Sequence, residues 1–300
     1  MDSLYEYVSA RHGVFSRAEA TRLGLSHGQI STRIKNGQFV RVAPSVYAIA
    51  GAPNTWFQRA RVAALTTGGL LSHRAAAAVH RIDGFTYDDI EVIVPKYRRP
   101  ESMGFTLHRT TQFGRADGQE RSGIPVTGIA RTVLDVAAVV GPKRLNWMVD
   151  AVIRQDLVAW EDLFHVWVIH SIQGRNGSGR LRMLLEERYG DERIPDSKWN
   201  RMVADLLVDA GLPAPVFEYE IRSNDQFIGR VDLAYPEQRL AIELDSSRWH
   251  LNSESFVKDP RRKNRLILAG WTVLTFTWAD YADTPAALVS TVRNARQTAA

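Results

Sequence analysis

Three carboxylates near the C-terminal end carry the densest chemistry in the sequence. Asp232 sits inside the apolar run Val231-Asp232-Leu233, and Glu243 and Asp245 alternate with apolar residues in Ile242-Glu243-Leu244-Asp245. Both runs read as strands. If Tyr235-Pro236-Glu237-Gln238 is a two-residue hairpin turn, Tyr235 pairs with Gln238 and Asp232 with Ala241. Residues opposite each other share a face, as do residues two apart, so Asp232, Glu243 and Asp245 emerge on one side. Carboxylates so crowded repel one another unless a cation lies between them. Hard oxygen ligands suit Mg²⁺, with Asp232 and Glu243 as its ligands, and such an ion activates water and stabilises phosphoryl charge. Lys258-Asp259-Pro260-Arg261-Arg262-Lys263-Asn264-Arg265 follows, with five basic residues in eight. Cations beside an acidic metal cleft are what a phosphodiester backbone requires. The alternative for the acids is an ion-paired polar face of the sheet. For the basic run it is a solvated helix start.

The front of the chain offers a different chemistry. Ser26-His27-Gly28-Gln29 is a capping box that opens a helix ending near Asn36-Gly37. Ile30 and Ile34, one turn apart, face a small core. Thr32, Lys35 and Asn36 then point away from it, with Gln29 and Arg33 on the flanks. These donors suit base edges and phosphates in a major groove, and Arg41 of the following hairpin adds a cation. A solvated helix face would carry the same residue types.

The elements around these groups follow from local signals. Leu4, Tyr7, Val8 and Arg11 recur at helical spacing up to Gly13; Ser16-Arg17-Ala18-Glu19 is a second capping box, and Gly24 closes its helix. Phe39–Val42 and Val46–Ile49 flank Pro44-Ser45 as a strand–turn–strand pattern. Helix, tight turn, helix and short hairpin make a winged helix-turn-helix. Residues 1–50 hold six Lys+Arg against three acids. From Asn54 to Gln173 helices alternate with the strands Ile90–Val94 and Phe105–His108; Lys96, Arg98 and Arg99 occupy the connection between those strands. His73, His80 and His108 lack the spacing of a metal motif and read as caps, surface groups or phosphate contacts. Gly174–Arg180 reads as a hinge, and the last hundred residues as α-β-β-β-α-β, a mixed sheet covered by helices. The expected organisation is therefore an α+β or α/β multidomain chain: a winged helix-turn-helix over 1–52, a middle α/β domain over 53–173, a linker and helix over 174–192, and a mixed sheet flanked by helices over 193–300.

Composition narrows the partners. The 300 residues carry 38 Lys+Arg and 33 Asp+Glu, a net charge of +5. No apolar run reaches the roughly 18 residues of a membrane span, and an apolar share of 45% excludes global disorder. Cysteine is absent, which excludes disulfides, thiolate metal sites and cysteine nucleophiles and fits a cytoplasmic setting.

The stretch from Ser197 to Asp280 resembles the very-short-patch-repair (Vsr)-like endonuclease domain, a branch of the PD-(D/E)XK nuclease superfamily. The resemblance is carried by Gly211-Leu212-Pro213, Arg230-Val231-Asp232-Leu233-Ala234, Ile242-Glu243-Leu244-Asp245, Trp249-His250, Asp259 with Arg262, and Gly270-Trp271-Thr272-Val273-Leu274. The N-terminal half resembles AbiEi-type antitoxins of type IV toxin–antitoxin systems, through the winged-helix pattern, Ser72-His73-Arg74-Ala75-Ala76, Pro125-Val126-Thr127 and Arg131-Thr132-Val133-Leu134-Asp135. The first resemblance implies a restriction-endonuclease-like sheet and Mg²⁺-dependent phosphodiester hydrolysis; the second implies a prokaryotic, DNA-binding repressor with a cognate toxin. Three positions depart from the nuclease pattern: Asp245 replaces the usual lysine, Asn200 stands where a glutamate is common, and Ser246-Ser247 follows in place of glycine. Against that background Lys258, Arg262 or Lys263 would supply the missing positive charge, and His250 would handle protons. The favoured expectation is a sequence-specific regulator of double-stranded DNA, antitoxin-like, with a nuclease-like C-terminal domain. The alternative is a metal-dependent endonuclease targeted by its winged helix, with Asp232, Glu243, Asp245, His250, Lys258 and Arg262 as its catalytic set.

Overall fold

The structure is a computed structural model that describes residues 2–100, 104–113, 117–170, 177–189, 196–223, 226–245 and 260–298. These residues divide into two compact units. The first runs to Val166 and takes in 177–184; the second takes in 167–170 and everything from Leu185 onward. Both mix helices with sheet, and no described helix is long and apolar enough to cross a membrane.

The first unit opens with α1 (Asp2–Ser9), β1 (Val14–Ser16), α2 (Arg17–Arg22), α3 (His27–Lys35), β2 (Phe39–Ala43) and β3 (Val46–Ile49). Both capping boxes form. The Ser16 hydroxyl accepts the Glu19 N–H while the Glu19 carboxylate accepts the Ser16 N–H, and Ser26 with Gln29 repeats the exchange one helix later. The strands join in the order β1-β3-β2, all antiparallel. Leu4, Val8, Phe15, Ala20, Ile30, Phe39 and Tyr47 close a core between helices and sheet.

The same unit continues through α4 (Trp56–Thr67), β4 (Leu70–Leu71), α5 (His73–Val79), β5 (Glu91–Pro95), β6 (Thr106–Thr110), β7 (Gly118–Arg121), β8 (Ile124–Thr127), α6 (Ile129–Val139) and α7 (Pro142–Arg154). Its second sheet has the order β6-β5-β4-β8-β7, with β5–β6 and β4–β8 parallel. Two of these strands escape a periodicity reading: β4 is only two residues long, and β7 is the polar edge strand Gly-Gln-Glu-Arg. Helices α8 (Trp160–His170) and α9 (Ser178–Tyr189) follow.

The second unit contains α10 (Asp196–Asp209), β9 (Val216–Ser223), β10 (Gln226–Tyr235), β11 (Leu240–Asp245), α11 (Pro260–Leu268), β12 (Thr272–Thr277), α12 (Trp278–Asp283) and α13 (Pro285–Thr298). The sheet order is β12-β11-β10-β9, parallel between β11 and β12 and antiparallel elsewhere. The turn expected at Tyr235–Gln238 is longer than two residues. Pro236–Gln238 forms a 3₁₀ turn, Arg239 takes a left-handed φ of 46°, and Tyr235 pairs with Leu240. Asp232 therefore does not face Ala241; Leu233 pairs with Ile242, and that register carried one step further sets Asp232 opposite Glu243. The correction is two residues, an even number, so the face on which the acids emerge is unchanged.

Candidate nucleic-acid interface

Helix α3 is anchored at both ends of its core face. Ile30 is 1% exposed, and Ile34 packs partly against the same cluster. Opposite them Thr32, Lys35 and Asn36 are exposed, as is Arg41 on β2. The flanking pair is engaged. The Gln29 carboxamide oxygen accepts the Ser26 N–H at 2.8 Å, and the Arg33 guanidinium donates to the Gln29 carbonyl at 3.3 Å and lies 5.9 Å over the Phe39 ring. Thr32, Lys35 and Asn36 are thus the open donors, with Gln29 and Arg33 shaping the helix that presents them.

A buried joint fixes this helical segment on the second sheet of its unit. Arg61, on α4 and 0% exposed, donates to the carbonyl of Val14 at 3.0 Å, to the carbonyl of Gly123, and to the Glu19 carboxylate at 2.6 Å. Tyr7 donates to the same carboxylate at 2.8 Å. Burial alone would push the Glu19 carboxyl up, but the Ser16 N–H, the Arg61 charge and the Tyr7 and Ser16 hydroxyls outweigh it and hold it below its usual range. Around this centre Arg11 pairs with Glu120 at 2.5 Å and His12 lies 2.7 Å from the Ser122 carbonyl. Gly123, at φ 71°, sits where a Cβ would come within 2.6 Å of the Ala10 carbonyl, so only glycine permits the approach. Sequence reasoning missed Arg61; a single arginine between Ala60 and Ala63-Ala64 on an amphipathic helix was the available signal.

Two further groups lie in the first unit. The connection after β5 and the end of β6 line a cavity of about 480 Å³ with Lys96, Tyr97, Arg98, Thr110, Thr111 and Phe113. Tyr97 is 81% exposed, and Arg98 is pinned by its bond to the Thr67 carbonyl at 3.0 Å. Elsewhere Glu91 is buried and accepts the Arg74 N–H at 2.7 Å, the Arg74 guanidinium at 3.1 Å and His108 Nε2 at 3.3 Å, while the His73 ring stacks 3.5 Å from that of His108. Burial raises the Glu91 carboxyl, and the bond from His108, the charges of His73 and Arg74 and the Arg74 N–H more than reverse it. His80 is buried against the Thr127 carbonyl at 2.7 Å, and burial pushes its pKa down. The Arg131 motif is structural: its guanidinium lies 3.1 Å from Asp117 and 3.0 Å from Asp135 inside the fold.

In the second unit Asp232 is half-buried and its carboxylate accepts the Leu244 N–H at 2.7 Å. Glu243 is 3% exposed and accepts a hydrogen bond from Arg262 Nη2, while Arg262 Nη1 donates to the Arg230 carbonyl at 2.7 Å. Asp245 ends β11 with its backbone paired to Thr277. His250, Lys258 and Asp259 lie outside the described residues. The donor set does not fit Mg²⁺ as arranged: one Asp232 oxygen is taken by the chain's own N–H and one Glu243 oxygen by its own guanidinium. Among the described residues no group of three or more His, Asp or Glu side chains is placed to hold a metal ion.

Comparison with known proteins places a family at the front of the chain. Residues 2–50 match the family described as "Transcriptional regulator, AbiEi antitoxin". Two uncharacterized proteins from strains of Mycobacterium tuberculosis, MT2308 and Rv2248, are each 28% identical over 269 residues, covering 89% of this chain and 96% of their own length. The crystal structure of the RV2827C protein of the same organism aligns with a TM-score of 0.31 at 18% identity, over 70% of this chain and 78% of that one.

Proposed function

We propose that this chain, whose residues 2–50 form an AbiEi antitoxin-family regulator domain, is a sequence-specific repressor of double-stranded DNA that reads its operator with α3. The carrying observation is the exposed Thr32–Lys35–Asn36 edge on a helix capped by Ser26 and held through the Arg61–Glu19 joint. In this reading the segment is a winged helix-turn-helix: α3 enters the major groove, the β2–β3 hairpin is the wing, and Arg41 meets the backbone. Thr32 and Asn36 face base edges while Lys35 neutralises a phosphate. The restriction-endonuclease-like second unit adds a backbone contact, and a toxin protein in the cytoplasm is the cognate partner.

The test is selection of bound duplexes from a random pool, followed by gel shifts with wild type, Lys35→Ala and a Thr32→Ala/Asn36→Ala double variant. A consensus duplex bound by wild type with a steep salt dependence, bound more weakly by Lys35→Ala and no longer preferred over other sequences by the double variant, is the expected result. Equal affinity for all sequences in wild type and variants would remove α3 from the account.

The position of Asp232 opposite Glu243 favours a second reading, a metal-dependent endonuclease delivered by the same helix, which would require Arg262 to give up Glu243 to the ion. Nicking of duplex DNA in Mg²⁺ or Mn²⁺ by wild type, abolished in Asp232→Ala and in Glu243→Ala, would establish it.

A further inference from the structure

We propose that Arg262 is the resident cation of the Asp232–Glu243 pocket: it stands where a divalent ion would bind Glu243, so the chain takes up no such ion there while Arg262 is in place. This goes beyond the regulator reading and does not depend on it.

A carboxylate as enclosed as that of Glu243 requires a positive partner, because burying it alone is far more unfavourable than pairing it. The partner is either an ion from solvent or a side chain of the protein, and here it is Arg262. Three features make that choice durable. A guanidinium keeps its charge at every accessible pH and offers its donors in a planar fork. The second arm of the fork is satisfied by the Arg230 carbonyl on β10 at 2.7 Å, so the group is gripped from two strands. The stem of Arg262 packs closely over Gly229, where a Cβ would stand in van der Waals contact, 3.4 Å from both its Cγ and its Cδ.

The companion ligand is occupied as well. The Leu244 N–H binds Asp232 Oδ2 at 2.7 Å, at the point where β10 passes the end of its pairing with β11. An ion entering between Asp232 and Glu243 would have to expel a guanidinium held by two acceptors. Mg²⁺ gives up its own waters reluctantly, which makes that exchange unfavourable. Removing Arg262 shifts the balance, since it takes the guanidinium donor from Glu243 and opens its place to water and to solvent cations.

The experiment is a Mn²⁺ titration of the full-length protein, read by loss of the free-ion electron paramagnetic resonance signal, with Mg²⁺ calorimetry alongside. Wild type and Glu243→Gln are expected to give the same titration. Arg262→Ala is expected to gain a saturable site at least about tenfold tighter, a change of about 1.4 kcal/mol. The Arg262→Ala/Glu243→Gln double variant should lose it again. Arg265→Ala, which removes one exposed charge from the same helix, should titrate as wild type and so controls for net charge. Arg262→Met keeps the stem over Gly229 and serves if Arg262→Ala does not fold. A saturable wild-type Mn²⁺ site that Glu243→Gln removes would overturn the proposal. Folded Arg262→Ala and Arg262→Met that both titrate as wild type would overturn it too. None of these readouts involves DNA, so failure here is distinguishable from failure of operator binding.

Discussion

The same two residue types are buried together in each unit, and they serve different ends. Arg61 reaches Glu19 from α4 and satisfies two backbone carbonyls with its remaining donors, so every arm of the fork ties one part of the first unit to another. Arg262 reaches Glu243 from α11 and lies over a sheet to which it adds a charge. Arg61 is sealed, whereas Arg262 keeps 27% of its side chain exposed. A sealed arginine with three partners is a joint; a partly open one over a carboxylate pocket is a stopper. The residue types alone do not distinguish the two. Enclosure, and the number of backbone acceptors served, does.

The largest effect should come from breaking the joint. Arg61→Ala strips a donor from Glu19, Val14 and Gly123 at once, and removal of one member of a buried ion pair costs about 3–5 kcal/mol. Urea unfolding followed by circular dichroism should register that loss, with Arg61→Lys recovering only part of it because an ammonium cannot span three acceptors. Arg262→Ala should cost less, about 1–3 kcal/mol, since water can reach the vacated space and solvate Glu243. Equal losses for the two substitutions would erase the distinction between joint and stopper.

That distinction was only partly legible in the sequence. Both capping boxes were readable because a serine and a residue three places on are a local signal, and the outward face of Thr32, Lys35 and Asn36 followed from helical arithmetic around Ile30. The engagement of Arg33 was not readable, because its guanidinium answers to Phe39 on a later strand. The face of the sheet that carries Asp232 and Glu243 was legible from alternation. Their register was not, because a turn containing Pro236 and a left-handed Arg239 adds two residues that pattern does not count. Arg61 was invisible for a related reason. Periodicity marks one side of α4 as buried but cannot say that Glu19 and two carbonyls wait there.

Acid offers a sharper cut between the joint and the rest of its unit. Glu19 and Glu91 both titrate below their ordinary value of about 4.5, so each is charged in the folded protein at a pH where the unfolded chain has begun to take up a proton. Their contribution is complete above that ordinary value and is lost as pH falls through the lowered, folded one. Stability measured by urea unfolding between pH 6 and pH 3 should therefore fall steeply below about pH 4.5. Glu19→Gln should start lower at neutral pH and show a shallower acid limb. An unchanged slope in that variant would mean that Glu19 is not held low, and that the Arg61 joint works through its carbonyl bonds alone.

Effects on binding rather than on folding test what the joint is for. If α3 is a reading helix held rigid by Arg61, its three open donors should separate by role. Thr32→Ala and Asn36→Ala should relax discrimination at particular base pairs by about 1–3 kcal/mol where a good contact is lost. Lys35→Ala should weaken binding to every sequence by a similar factor and lower the salt slope by about one counterion. Gel shifts of wild type and the three variants against the selected duplex and against single-base changes, at two salt concentrations, resolve the two patterns. Should Lys35→Ala alter base preference and leave the salt slope intact, the helix would lie in the groove at a different angle from the one its exposed edge implies, and Lys35 would belong among the base readers.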